Sequence, residues 1–91
     1  MQPLLARRTA SLANLLFDAG RLAEAIHEYR EAIGMDQGLL EARRNLAYAL
    51  FDSGKPEAAL QVLSEALLLV PGAPALRAAV RSMVRGMNRH P

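Results

Sequence analysis

The side chains able to do chemistry are few and scattered. Glu24 and His27 stand in an E-x-x-H spacing, which puts both on one face of a helix and in di-iron helical bundles supplies two metal ligands. Such a site needs a second copy of the motif and further carboxylates, and the chain offers neither. Glu24, Glu28 and Glu31, beside His27 and Arg30, read instead as the wet face of an amphipathic helix. The other histidine, His90, has no acidic residue near it in sequence. Cysteine is absent, which removes disulfides, thiolate metal sites and cysteine nucleophiles together. No glycine-rich phosphate loop, H-E-x-x-H or G-x-S-x-G stretch occurs. An enzyme is therefore not expected, and no cofactor or metal is called for.

Charge points to recognition rather than catalysis. Arg77, Arg81, Arg85 and Arg89 follow one another at four-residue steps, and no acidic residue comes after Glu65. On a helix these arginines form a slowly rotating basic ridge. It reads either as the solvated outer face of a terminal helix or as a surface for an acidic partner or a phosphate backbone. No aromatic side chain lies among them to stack on bases, and the formal net charge of the chain is only +2, so nucleic-acid binding is not expected.

The elements that must position these residues are helical. Ala occurs 17 times and Leu 16 times, aromatics make up 4 % and tryptophan is absent, a composition suited to helices packed through small and aliphatic side chains. Hydrophobic residues are 52 % and charged residues 22 %, which excludes a disordered tail. Ninety-one residues suit one small domain. No stretch approaches the roughly 20 apolar residues of a membrane span, so membrane insertion is not expected. Arg7 and Arg8 ahead of the mildly apolar run from Thr9 to Phe17 could be read as a targeting peptide, but the same residues fall into register with the second half of the chain. Arginine outnumbers lysine ten to one, a bias expected of a GC-rich coding sequence, and a bacterial, cytoplasmic setting is the expectation.

Shifted by 34 residues, the sequence matches itself. LANLLFDAG at 12–20 lies over LAYALFDSG at 46–54, and Ala25/Ala59, Glu31/Glu65 and Ala32/Ala66 continue the match. Such a period is the signature of stacked supersecondary units. Leu12, Ala13 and Leu16 fall on one helical face. Gly20 and Gly54 follow these helices, where a positive φ can end them, and Pro56 suits the first turn of the next. Leu22, Ala25, Ile26, Tyr29, Ala32 and Ile33 again recur at three- and four-residue spacing, and Ala25, Ala32, Ala59 and Ala66 are small enough for paired helices to approach closely. The spacing predicts five helices, at about 4–19, 22–35, 38–52, 56–69 and 74–88.

This pattern resembles the tetratricopeptide-repeat (TPR) family over residues 6–73. Leu12, Ala13, Leu16, Ala25, Tyr29 and Ala32 occupy signature positions in the first repeat, and Leu46, Ala47, Leu50, Ala59, Leu63, Ala66 and Pro71 do so in the second. The signature tryptophan is replaced by Thr9 and Arg43, and the closing proline of the first repeat by Gln37. The resemblance implies an all-α, right-handed solenoid of helical hairpins forming a single domain. Repeat one would span about 6–39, repeat two about 40–73, and a capping helix about 74–88, whose stripe of Leu76, Val80, Met83, Val84 and Met87 would cover the second repeat.

In that family the first helix of each pair lines a concave groove. Carried over by position, the groove presents Arg7, Ala10, Ser11, Asn14, Phe17 and Asp18 from repeat one. Repeat two adds Glu41, Arg44, Asn45, Tyr48, Phe51 and Asp52, and the cap adds Ala75, Ala78, Ala79 and Ser82. One subset of the family clamps a peptide C-terminal carboxylate with two asparagines and three basic residues. Asn14 and Asn45 match the asparagines, but the basic places are Ala10, Ala75 and Ala79, so a groove without strong carboxylate affinity is expected. The expected function is that of an adaptor or assembly scaffold binding another protein, as a peptide or helix, in this groove. The alternative is a self-associating, homodimeric module. Leu15 stands where the second repeat has Ala49, and Arg8 where it has Ala42, so with Leu4 and Leu5 the first helix carries an edge open to a second copy or another protein.

Overall fold

The computed structural model describes residues 2–89, and all of its regular structure is helical. His90 lies outside the described residues. The five helices are α1 (Pro3–Asp18), α2 (Leu22–Met35), α3 (Leu40–Asp52), α4 (Pro56–Leu69) and α5 (Pro74–Asn88). Proline opens α1, α4 and α5, at positions where the missing N–H has no intrahelical role and φ is already helical.

α1 and α3 end alike. Gly20 and Gly54 adopt φ of 78° and 82°, the left-handed region that glycine enters without strain. The N–H of Arg21 donates to the Leu16 carbonyl and that of Gly20 to the Phe17 carbonyl; Lys55 to Leu50 and Gly54 to Phe51 repeat the pattern. These paired bonds satisfy carbonyls that the end of each helix leaves without partners, and they turn the chain sharply into the next helix. The α2–α3 connection differs. Asp36 Oδ1 accepts the Gly38 N–H at 3.1 Å and delays the start of α3 to Leu40, two residues later than the spacing predicts.

α1 packs on α2 and α3 on α4 as hairpins, α2 packs on α3, and α5 closes on α4 and α3. The contacts are built on alanine. Ala13, Ala25, Ala32, Ala47, Ala59 and Ala66 are all fully buried, as close helix approach requires. Leu46, Leu50, Leu63, Leu76 and Met83 fill the space between them. The chain is an all-α stack of helical hairpins.

Three positions differ from what the sequence pattern and the resemblance imply. Leu12 does not join the core with Leu16: it is 46 % exposed, whereas its repeat-equivalent Leu46 is 4 % exposed. Leu46 is covered because α2 lies against α3, and among the described residues no helix lies against α1 in that way. Ala79 does not face the groove; it is fully buried in the core beneath α5. Val84 is exposed, because it follows the buried Met83 by one residue and is rotated about 100° off the packed stripe.

Candidate functional site

α1 and α3 meet directly, and so do α3 and α5, so these three helices form a row whose open side carries a groove. Two adjoining hollows lie between α1 and α3. The upper, of about 340 Å³, is lined by Arg7, Ala10, Ser11 and Glu41 among others. The lower, of about 490 Å³, is lined by Phe17, Asp18, Tyr29, Tyr48 and Asp52. Asn14 and Asn45 line both and form the partition between them. A third hollow, of about 250 Å³, continues between α3 and α5 and is lined by Glu41, Arg44 and Pro74.

The partition is hydrogen-bonded from within. Tyr29 belongs to α2 and is only 1 % exposed, yet its hydroxyl reaches through the hairpin and donates to Asn14 Oδ1 at 2.5 Å. Asn45 Nδ2 donates to the same oxygen at 3.1 Å. Both acceptor positions of the Asn14 carbonyl are thereby filled, while its amide nitrogen bonds no protein atom among the described residues. Asn45 Oδ1 accepts from Arg44 Nε at 3.4 Å, and Asn45 Nδ2 retains a second N–H. The groove thus presents amide N–H donors whose own carbonyls are held in place. The Tyr29 phenol is pushed up to about 12 from its ordinary 10.0, first by burial and then by the nearby Asp18 carboxylate, against a smaller opposing effect of the Asn45 side chain. It stays protonated and a donor throughout the physiological range.

The residues expected in the groove separate into groups. Arg7, Ser11, Asn14, Phe17, Asn45 and Tyr48 line the hollows between α1 and α3. Arg44 braces Asn45 and faces the hollow beside α5. Phe51 does not line these hollows: its ring lies against α5 at Gly86, where a methyl group would come within 3.0 Å of the ring, so it seals the α3–α5 joint. The hydroxyl of Tyr29 is a groove residue that periodicity assigns wholly to the core. The available signal is that a buried phenol requires a hydrogen-bond partner.

The remaining candidates are dispersed. Leu4, Leu5 and Leu15 are exposed on α1, and Leu15 is 68 % exposed where Ala49 is fully buried. Leu68, Leu69 and Val70 form a second exposed apolar patch, legible in sequence as an apolar run that breaks the helical alternation. Arg77, Arg81, Arg85 and Arg89 are all exposed, and none meets a carboxylate within 4 Å among the described residues. Glu24 takes a two-pronged contact from Arg21, with both N–O distances 2.7 Å, while His27 sits 3.8 and 3.9 Å from Glu28 and Glu31. The E-x-x-H pair therefore does not converge on one point.

A family model described as tetratricopeptide repeat matches residues 16–83. No curated protein matches the chain.

Proposed function

Because the chain belongs to the tetratricopeptide-repeat family, whose members generally mediate contacts between proteins, we propose that it is an adaptor that holds an extended segment of another protein in the groove along α1 and α3. The observation that carries this reading is the Asn14–Asn45 partition. Its carbonyl oxygens are occupied internally, which leaves amide N–H groups without a protein acceptor on two residues that line the groove. Amide donors fixed in this way suit main-chain carbonyls, which every extended peptide carries, and the flanking Phe17 and Tyr48 rings offer apolar surface for side chains. We take the unit to be two repeats, about 6–39 and 40–73, with a capping helix at 74–88. The arginine bias supports a bacterial setting.

The test is calorimetric titration with a peptide taken from a partner found by affinity selection, repeated on the Asn45→Ala plus Tyr48→Ala protein. Loss of binding in a protein that is still folded is the expected result. Unchanged affinity moves the site elsewhere.

The exposed edge of Leu4, Leu5, Leu12 and Leu15 favours a second reading, in which α1 packs against α1 of another copy. Leu15→Glu should then convert a dimer into a folded monomer on sedimentation. A wild-type protein that is already monomeric at high micromolar concentration removes this reading.

A further inference from the structure

The two hollows of the groove differ in charge. The upper one is lined by one charge of each sign, Arg7 and Glu41, whereas the lower one is lined by two carboxylates, Asp18 and Asp52, and no cation. These two residues are the last of α1 and α3. They therefore sit where the helix carbonyls already concentrate partial negative charge, the end at which a cation is favoured and an acid is not. Neither helix has a basic residue in its last turn, and neither carboxylate meets a cation within 4 Å among the described residues. The same unfavourable placement occurs in both repeats, at opposite sides of one hollow. Phe17 and Tyr48 line the same hollow, and aromatic rings attract cations as well as aliphatic stems.

We propose that the segment held in the groove carries a lysine or arginine, and that this side chain enters the lower hollow between Asp18 and Asp52 with its stem against Phe17 and Tyr48. The inference rests on the groove function and adds the chemistry of the partner. The bound main chain then crosses the Asn14–Asn45 partition, and the basic side chain points to the end of the groove where α1 and α3 terminate at their glycines. The charge difference between the hollows fixes which end of the groove the basic residue occupies.

The experiment is selection of a random 12-residue peptide library displayed on phage against the full chain. Synthesis of the selected peptides and mapping of amide chemical shifts on the isotope-labelled protein then locate them. Selected peptides should be enriched in Lys or Arg at one position and should shift Asp18, Tyr48 and Asp52. Replacing that arginine by citrulline, or that lysine by norleucine, should weaken binding by at least about tenfold, as loss of a charge-assisted contact implies. Asp18→Asn plus Asp52→Asn should do the same while leaving the far-ultraviolet circular dichroism unchanged, since both side chains are exposed. Asp18→Lys plus Asp52→Lys should select acidic peptides instead. Peptides that map to the groove without a basic residue, or that bind equally well in the neutral form, overturn the inference and leave the groove function standing. A library that yields no binder, or only binders outside the groove, overturns both.

Discussion

Asn14→Ala removes the one oxygen that receives both Tyr29 and Asn45, and its cost follows from what is left behind. The Tyr29 hydroxyl sits on a residue that is 1 % exposed, so it loses its partner in a nearly closed setting. An orphaned buried hydroxyl costs about 1–3 kcal/mol, and the lower end applies because the adjoining hollow, of about 490 Å³, can admit water. The bond from Asn45 is partly buried and contributes about 0.5–1 kcal/mol. The sum is about 1.5–2.5 kcal/mol, which for a domain of this size lowers the thermal midpoint by roughly 6–20 °C. Tyr29→Phe separates the parts. In that background no hydroxyl remains to be orphaned, so Asn14→Ala should cost only about 0.5–1 kcal/mol, the share of the Asn45 bond. Urea denaturation of the four proteins, followed by circular dichroism with the slope checked for constancy, measures the coupling. Effects that add to within about 0.3 kcal/mol would show that the phenol and the amide act independently, and Tyr29 would then not be what holds the Asn14 carbonyl in place.

Tyr29 also predicts an alkaline limit. Its pKa is raised to about 12 in the folded state, so the unfolded chain loses the phenol proton first, and stability present below pH 10 declines as pH rises from about 10 to about 12. Tyr29→Phe should flatten this part of a plot of thermal midpoint against pH; an unchanged slope would assign the loss to other groups. Ala59→Leu inserts bulk into a fully buried helix contact and should cost about 1–3 kcal/mol in urea denaturation, and no change would mean the contact can open freely. Gly54→Ala forces a side chain into φ of 82° and should cost about 1–2 kcal/mol, although nothing lies within 4 Å of the new methyl group. A neutral result there would mean that the turn relaxes out of the left-handed region.

The backbone is the most legible part of the sequence. Glycines at 20 and 54 and prolines at 56 and 74 act through local dihedral constraints, so they mark helix ends whatever surrounds them. The buried alanines are legible because Ala13, Ala25 and Ala32 each return 34 residues later. A period identifies equivalent positions but not whether the neighbours that cover them exist, which is why Leu46 misleads about Leu12. Ala79 and Phe51 depart from expectation for a related reason. Both lie at the junction with α5, a helix outside the two matching repeats, where Phe51 lies against Gly86 and Leu76 and Met83 join the core. The hydroxyl of Tyr29 is hidden because hydrophobic spacing treats a phenol as a ring and says nothing of its oxygen.

The bond from Asn45 to Asn14 has a consequence for how the chain opens. Asn14 and its partner Tyr29 belong to the first hairpin and Asn45 to the second, so a polar link joins two hairpins whose shared core is apolar. In a linear array each hairpin is stabilised by its own contacts plus the interface with its neighbour, and the interface decides whether the units unfold together or in turn. A directional bond loses its value after a small displacement, whereas apolar surfaces can slide and keep much of theirs. The link therefore makes separation of the hairpins abrupt. Fraying from α1 would have to break the same amide pair that forms the groove, so local opening at that end and loss of the groove become one event in native-state hydrogen exchange.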